Sequence, residues 1–140
     1  MITSQEKIQF AVIGGGVIGG GWVARFLLMG FDVKVFDPDP DAEKKINQVI
    51  ENARRSLPGL FEYLLPDEGT LTFCSNIKET VFDVQWICEA IPERLDLKQK
   101  VFTEIQSHCS IDSIIASSTS GFKPSDLQSF SSNPEQIIVD

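Results

Sequence analysis

The feature that most constrains this chain is Gly14-Gly15-Gly16-Val17-Ile18-Gly19, a G-x-G-x-x-G turn set between an apolar run and a helical pattern. Ile8-Gln9-Phe10-Ala11-Val12-Ile13 stops at the glycines as a buried parallel strand does. Val17 to Met29 then carries Trp22, Val23, Phe26 and Leu27 on one side, with Gly30 as its stop. A glycine turn alone is a weak signal, because it can serve packing only. Between a strand and a helix it gains a mechanism. Gly14 permits the tight turn, Gly16 lets a pyrophosphate approach the backbone, and Gly19 lets helix and strand pack closely. The helix N-terminus offers unpaired N–H groups and a partial positive charge to phosphate oxygens.

The rest of the chain keeps alternating. Val33–Phe36 reads as a second strand, closed by Asp37 and Pro38. From Pro40 a helix places Ala42, Ile46, Val49, Ile50, Ala53 and Leu57 on one stripe, and Pro58-Gly59 ends it. A helical turn through Phe61, Leu64 and Leu65 and a loop at Pro66 follow. Leu71–Phe73 is a third strand, and Asn76 with Glu79 opens a brief helix. Gln85–Cys88 is a fourth strand, ending at Glu89-Ala90-Ile91-Pro92. Leu95, Phe102, Ile105 and Cys109 mark the inner face of a long helix from about Arg94. Ile114–Ala116 is a fifth strand, Pro124–Phe130 a short helix, and Ile137–Val139 begins a sixth strand. Right-handed crossovers turn this order into an α/β fold, a Rossmann-type doubly wound parallel sheet with helices on both faces.

Composition removes several functions. The 140 residues make one domain, expected to be the N-terminal, cofactor-binding one of a longer protein, because natural domains seldom end inside an apolar strand. With 12 Lys+Arg against 20 Asp+Glu and a net charge of −8, nucleic acid is not an expected partner. No apolar run approaches a membrane span, and Met1–Lys7 lacks the features of a secretory signal. Cys74, Cys88 and Cys109 form no CxxC pair and there is one histidine, so no metal site is expected. The odd cysteine count points to a reducing cytoplasm, with the thiols acting as small apolar residues.

Asp37 ends the second strand at the distance where a carboxylate accepts both ribose hydroxyls of adenosine. A 2′-phosphate there would meet a like charge, and no arginine follows in Pro38-Asp39-Pro40-Asp41. The pattern therefore reads NAD rather than NADP. A flavin fold more often shows Glu at that strand end, and a methyltransferase needs an acidic residue where Ile13 stands.

Three motifs then carry a family resemblance: Gly14–Gly21 with Trp22-Val23-Ala24-Arg25, Pro92-Glu93-Arg94-Leu95-Asp96-Leu97-Lys98, and Ser117-Ser118-Thr119-Ser120-Gly121. Over essentially its whole length the chain resembles the NAD-binding domain of the 3-hydroxyacyl-CoA dehydrogenase superfamily, and within it the L-carnitine dehydrogenases. The resemblance implies that Glu93 and Lys98 line the cofactor cleft and that Ser120 contacts the substrate oxygen beside the nicotinamide. Read without it, Glu93 and Lys98 are a solvated helix start, and any hydroxyl of Ser117–Ser120 could cap the next segment. It also implies a general-base histidine just after Asp140, followed by a helical substrate and dimerisation domain that makes the full-length enzyme a homodimer. His108, late on its helix, is not that base.

The chain departs from the hydroxyacyl-CoA dehydrogenases at Ser118, where they usually carry Asn. The positions matching their CoA-holding Ser and Lys are Ala53 and Leu60, which cannot bond a phosphate or an amide. The expected substrate is thus a small free hydroxy acid, oxidised at its C3 hydroxyl, with L-carnitine first. A 3-hydroxyacyl-CoA or an L-gulonate (lambda-crystallin-like) dehydrogenase is the alternative within the class. A non-catalytic NAD-sensing module is the alternative outside it.

Overall fold

The central strand, β1 (Gln9–Ile13), is apolar on both faces, so it requires a sheet covered on both sides. The computed structural model describes residues 8–14, 16–56, 67–119, 121–129, 131 and 133–139. After β1 come α1 (Gly16–Leu28), β2 (Asp32–Phe36), α2 (Ala42–Ser56), β3 (Leu71–Phe73) and α3 (Ile77–Val81). They are followed by β4 (Trp86–Glu89), α4 (Leu95–His108), β5 (Ile114–Ser117), α5 (Pro124–Gln128) and β6 (Ile137–Val139). The strands pair in parallel in the order β3-β2-β1-β4-β5-β6. That is the doubly wound order expected from the sequence.

Period-2 alternation divides the core. Ala11, Ile13, Ile87 and Ile115 face α3, α4 and α5 through Val81, Phe102, Ile105 and Leu127. Val12, Val33, Val35 and Cys88 face α1 and α2 through Val23, Leu27, Ile46 and Ile50. The stripe read along α2 is the buried face found, with Ala53 half-buried against it. Leu57, the Pro58-Gly59 stop, the turn through Phe61, Leu64 and Leu65, and Phe130 lie outside the described residues.

Local chemistry sets several ends. Gly30 has φ +91° and its N–H donates to Leu27 O at 3.0 Å, closing α1 as expected. Asn76 Oδ1 accepts from Glu79 N at 2.8 Å to open α3. At the other end of that helix the Lys34 ammonium, reaching from β2, donates to Glu79 O at 3.0 Å and Phe82 O at 2.7 Å. Two strands run one residue further than the sequence pattern suggests. Glu89 ends β4 and Ser117 ends β5, paired in register, because both polar side chains find partners inside the fold. The three cysteines are free, and partial burial pushes the Cys109 thiol up from its ordinary pKa. No helix among the described residues is long and apolar enough to cross a membrane.

A 3₁₀ turn, Pro134–Gln136, precedes β6 and was not foreseen. Its Gln136 is 6 % exposed and donates Nε2–H to Ser110 O at 2.7 Å and Ser113 O at 2.9 Å. This amide ties the sixth strand to the loop before β5. Replacing Gln136 by Leu removes both bonds; Ser110 O keeps the Ser113 N–H, while the carbonyl of buried Ser113 loses this donor. We expect the urea midpoint to fall by the equivalent of about 1–3 kcal/mol.

Candidate functional site

The strand order reverses between β1 and β4, so the loops leaving them part and open a cleft at the carboxyl ends of the strands. The cleft holds about 910 Å³ and is lined by Gly14, Gly16, Asp37, Ala90, Glu93 and Ser118 among others. Its floor is backbone: Gly14 N donates to Phe36 O at 2.9 Å and Ala90 N to Ile13 O at 2.8 Å.

Gly14 and Gly19 have the turn and packing geometry that their positions predict. Gly14 has φ +94°, and a Cβ there would lie 2.7 Å from Ala90 O. A Cβ on Gly19 would lie 2.1 Å from Gly14 O, so only glycine lets α1 start so close to β1. Gly16, at φ +69°, has nothing within 4 Å of where its Cβ would stand. Open space before a helix N-terminus is the cradle that a pyrophosphate fills. Ile18 lines the same cleft. Gly15 lies outside the described residues, as does the side chain of Val17.

On the β2 side, Asp37 Oδ1 accepts from Asp39 N at 2.7 Å, an Asx turn that skips the N–H-less Pro38 and aims the carboxylate. Asp39 also lines the cleft. It accepts from Asp41 N at 2.9 Å and from Lys45 Nζ at 2.9 Å, and these bonds hold its pKa below the ordinary carboxylate value, the Asp41 N–H contributing most. Two carboxylates therefore flank the adenosine end, and the one nearby lysine is spent on Asp39.

On the β4 side the reading needs correction. Glu93 lines the cleft, 40 % exposed, and accepts Thr119 Oγ1–H and Gly121 N–H at 2.8 Å. Lys98 does not line it. Its side chain is buried behind Glu93, where Nζ donates to Glu89 Oε2 at 2.6 Å and Ile91 O at 3.2 Å and stands 3.3 Å from Glu93 Oε1. A buried ammonium must be paired, and Glu89 supplies the charge. Ser120 lies outside the described residues; its neighbours Thr119 and Gly121 both bond Glu93. His108 is exposed and ends α4, about 10 Å along the axis beyond Val101, the last residue of that helix to line the cleft.

Sequence reasoning missed Glu89 and Ser118. Glu89 is a carboxylate inside an apolar strand, which by itself signals a buried partner. Ser118 Oγ is the one buried side-chain polar atom without a hydrogen-bond partner among the described residues, and Ser118 borders the cleft. Turned toward the cleft, that hydroxyl suits a ligand rich in hydroxyls and amides.

A phosphate cradle, a ribose-height carboxylate and a polar far wall in one cleft define a dinucleotide-binding domain. Residues 9–139 match the family described as 3-hydroxyacyl-CoA dehydrogenase, NAD binding domain, and the chain belongs to that family. It is 60 % identical over 129 residues, 92 % of its length, to an L-carnitine dehydrogenase/betainyl-CoA thioesterase of Ruegeria pomeroyi, and spans 26 % of that protein. It is 51 % identical over 130 residues, again 92 % of its length, to an L-carnitine dehydrogenase of Mesorhizobium japonicum, and spans 36 % of it. Among solved structures, 5-formyl-3-hydroxy-2-methylpyridine 4-carboxylic acid 5-dehydrogenase, an NAD+-dependent dismutase, superposes with a TM-score of 0.84 at 31 % identity. That match covers 94 % of this chain and 43 % of the other. The chain thus spans well under half the length of each of these proteins.

The glycine geometry separates binding from folding. Gly16→Val should cost about 1–2 kcal/mol of stability, from its positive φ, and abolish NAD binding by filling the cradle. Gly19→Ala should destabilise the chain more than Gly16→Val does, through the contact with Gly14 O. Thermal melts read beside NAD titrations check both.

Proposed function

We propose that this chain is the NAD-binding part of a dehydrogenase that oxidises the C3 hydroxyl of a small hydroxy acid, with L-carnitine converted to 3-dehydrocarnitine. The observation that carries the cofactor reading is the aimed carboxylate of Asp37 in the same cleft as the open glycine turn. The names of the relatives support the substrate.

The residues divide the work along the cleft. Gly14, Gly15, Gly16, Val17, Ile18 and Gly19 would hold the pyrophosphate on N–H groups at the start of α1. Asp37 would accept both adenosine ribose hydroxyls, and Asp39 would repel a 2′-phosphate while neutralising Lys45. Glu93 and Ser118 would meet the second half of the dinucleotide. Bound NAD supplies the hydride acceptor. Ser120 would orient the substrate oxygen.

The general base would come from residues outside this chain. The sole histidine, His108, is an exposed residue at the far end of α4. The chain alone should therefore bind NAD and produce no NADH from L-carnitine. Ala53, half-buried against the α2 face of the core, offers no group to an acyl-CoA, which favours a small free acid; Leu60 lies outside the described residues. In the intact enzyme a helical domain would complete the substrate pocket and form a homodimer, in the cytoplasm.

Two measurements test this. Calorimetric titration should show NAD+ binding more tightly than NADP+, and Asp37→Ala should weaken NAD+ about 10- to 100-fold while narrowing the gap. Equal affinities in the unaltered chain would reject the assignment of Asp37. In the second, this chain replaces the matching segment of the Ruegeria pomeroyi protein. The hybrid should oxidise L-carnitine with NAD+; a folded, NAD-loaded hybrid without that activity would reject the carnitine reading.

A further inference from the structure

Glu89 is the only carboxylate among the described residues whose side chain is fully buried, and it faces the wall of the cleft rather than the cleft. Its oxygens are saturated. Oε1 accepts from Ser117 Oγ at 2.5 Å, and Oε2 accepts from Lys98 Nζ at 2.6 Å and Ile91 N at 2.8 Å. Lys98 Nζ donates to Glu89 and to the Ile91 carbonyl and forms an ion pair with Glu93 at 3.3 Å. That ion pair fixes the back of the Glu93 carboxylate. Thr119 Oγ1 and Gly121 N fix that same carboxylate from the loop after β5. Glu89 meanwhile holds β5 through Ser117, and its own carbonyl accepts from Ser118 N at 2.9 Å.

We propose that Glu89 is a positioning residue for the far half of the dinucleotide. Its buried charge holds Lys98 in place, and Lys98 sets where the Glu93 carboxylate stands in the cleft. Through Ser117 the Glu89 side chain also holds β5, whose following loop grips the Glu93 carboxylate with Thr119 and Gly121. The inference rests on the cofactor reading above. Without the charge of Glu89, the nearest anion to the buried ammonium is Glu93. The ammonium then draws that carboxylate inward, away from the ligand. The adenosine end, built from the glycine turn and Asp37, shares none of these contacts.

That separation supplies the test. NAD+ and ADP are titrated into the unaltered chain, Glu89→Gln, Glu93→Gln and the double variant, with thermal melts alongside. Glu89→Gln should weaken NAD+ about tenfold, the scale of one misplaced charge-assisted hydrogen bond, and leave ADP unchanged. In the Glu93→Gln background the same substitution should add nothing, because its effect passes through Glu93. If Glu89→Gln does not fold, Glu89→Gln with Lys98→Met removes the buried pair together, a change that folds often tolerate. It too should lose NAD+ affinity and keep ADP. Unchanged NAD+ affinity in either folded variant overturns the proposal, and so do equal losses for NAD+ and ADP or additive losses with Glu93→Gln. Failure of the unaltered chain to bind NAD+ or ADP overturns the cofactor reading itself, and the proposal with it.

Discussion

The parallel pairing of β1 with both β2 and β4 is the constraint on which the site depends. Because the chain returns to opposite sides of β1, the loops after β1 and β4 leave in different directions, and the cleft is the space between them. That space stays open at its top and tight at its base. At the base, Gly14 lies against the Ala90 carbonyl so closely that no side chain fits. One Cβ there would wedge β1 and β4 apart and move the start of α1, on which any phosphate must sit. The binding function and the central strand pair are therefore the same piece of geometry.

The buried charges behind the cleft show a different balance. Moving a carboxylate and an ammonium out of water costs several kcal/mol each, and a well-packed apolar pair often replaces them without loss of stability. Stability alone does not account for Glu89 and Lys98. The pair links β4, α4, β5 and the loop after β5 at the point where the cleft needs a fixed carboxylate at its surface. A hydrophobic plug would fill the volume and leave Glu93 held by Thr119 and Gly121 alone.

The fold was legible because both periods were unambiguous. The apolar runs of β1, β2 and β4 and the stripe of α2 dictated a buried parallel sheet with helices outside, and the glycine turn located its switch point. The site was legible on the β2 side, where the glycine turn and the Asp37 carboxylate meet in one cleft. It was misread on the other side, although the sequence contained the clue. Leu95, Lys98, Phe102 and Ile105 repeat at spacings of three and four, so Lys98 stands on the buried stripe of α4. A lysine there demands an acid, and Glu89 inside an apolar strand is the obvious one. The pairing escapes a sequence reading because no local pattern joins a strand end to a helix face nine residues on. The 3₁₀ turn before β6 was missed for the same reason: the bonds that hold it come from Gln136, to a loop more than twenty residues away.

A chain of net charge −8 that holds a dianionic pyrophosphate has to rely on short-range forces. The N–H groups at the start of α1 act within hydrogen-bond distance, where their partial charge outweighs carboxylates further off that water and salt screen over about 10 Å. Of the carboxylates that line the cleft, Asp37 and Asp39 stand at its β2 end and Glu93 across from them on the β4 side. At the β2 end the negative field is selective instead of harmful. A neutral ribose would match it and a 2′-phosphate would oppose it, and Lys45, a nearby cation, is held by Asp39. Carboxylates that meet a sugar rather than a phosphate would thus turn a local negative charge into a cofactor preference.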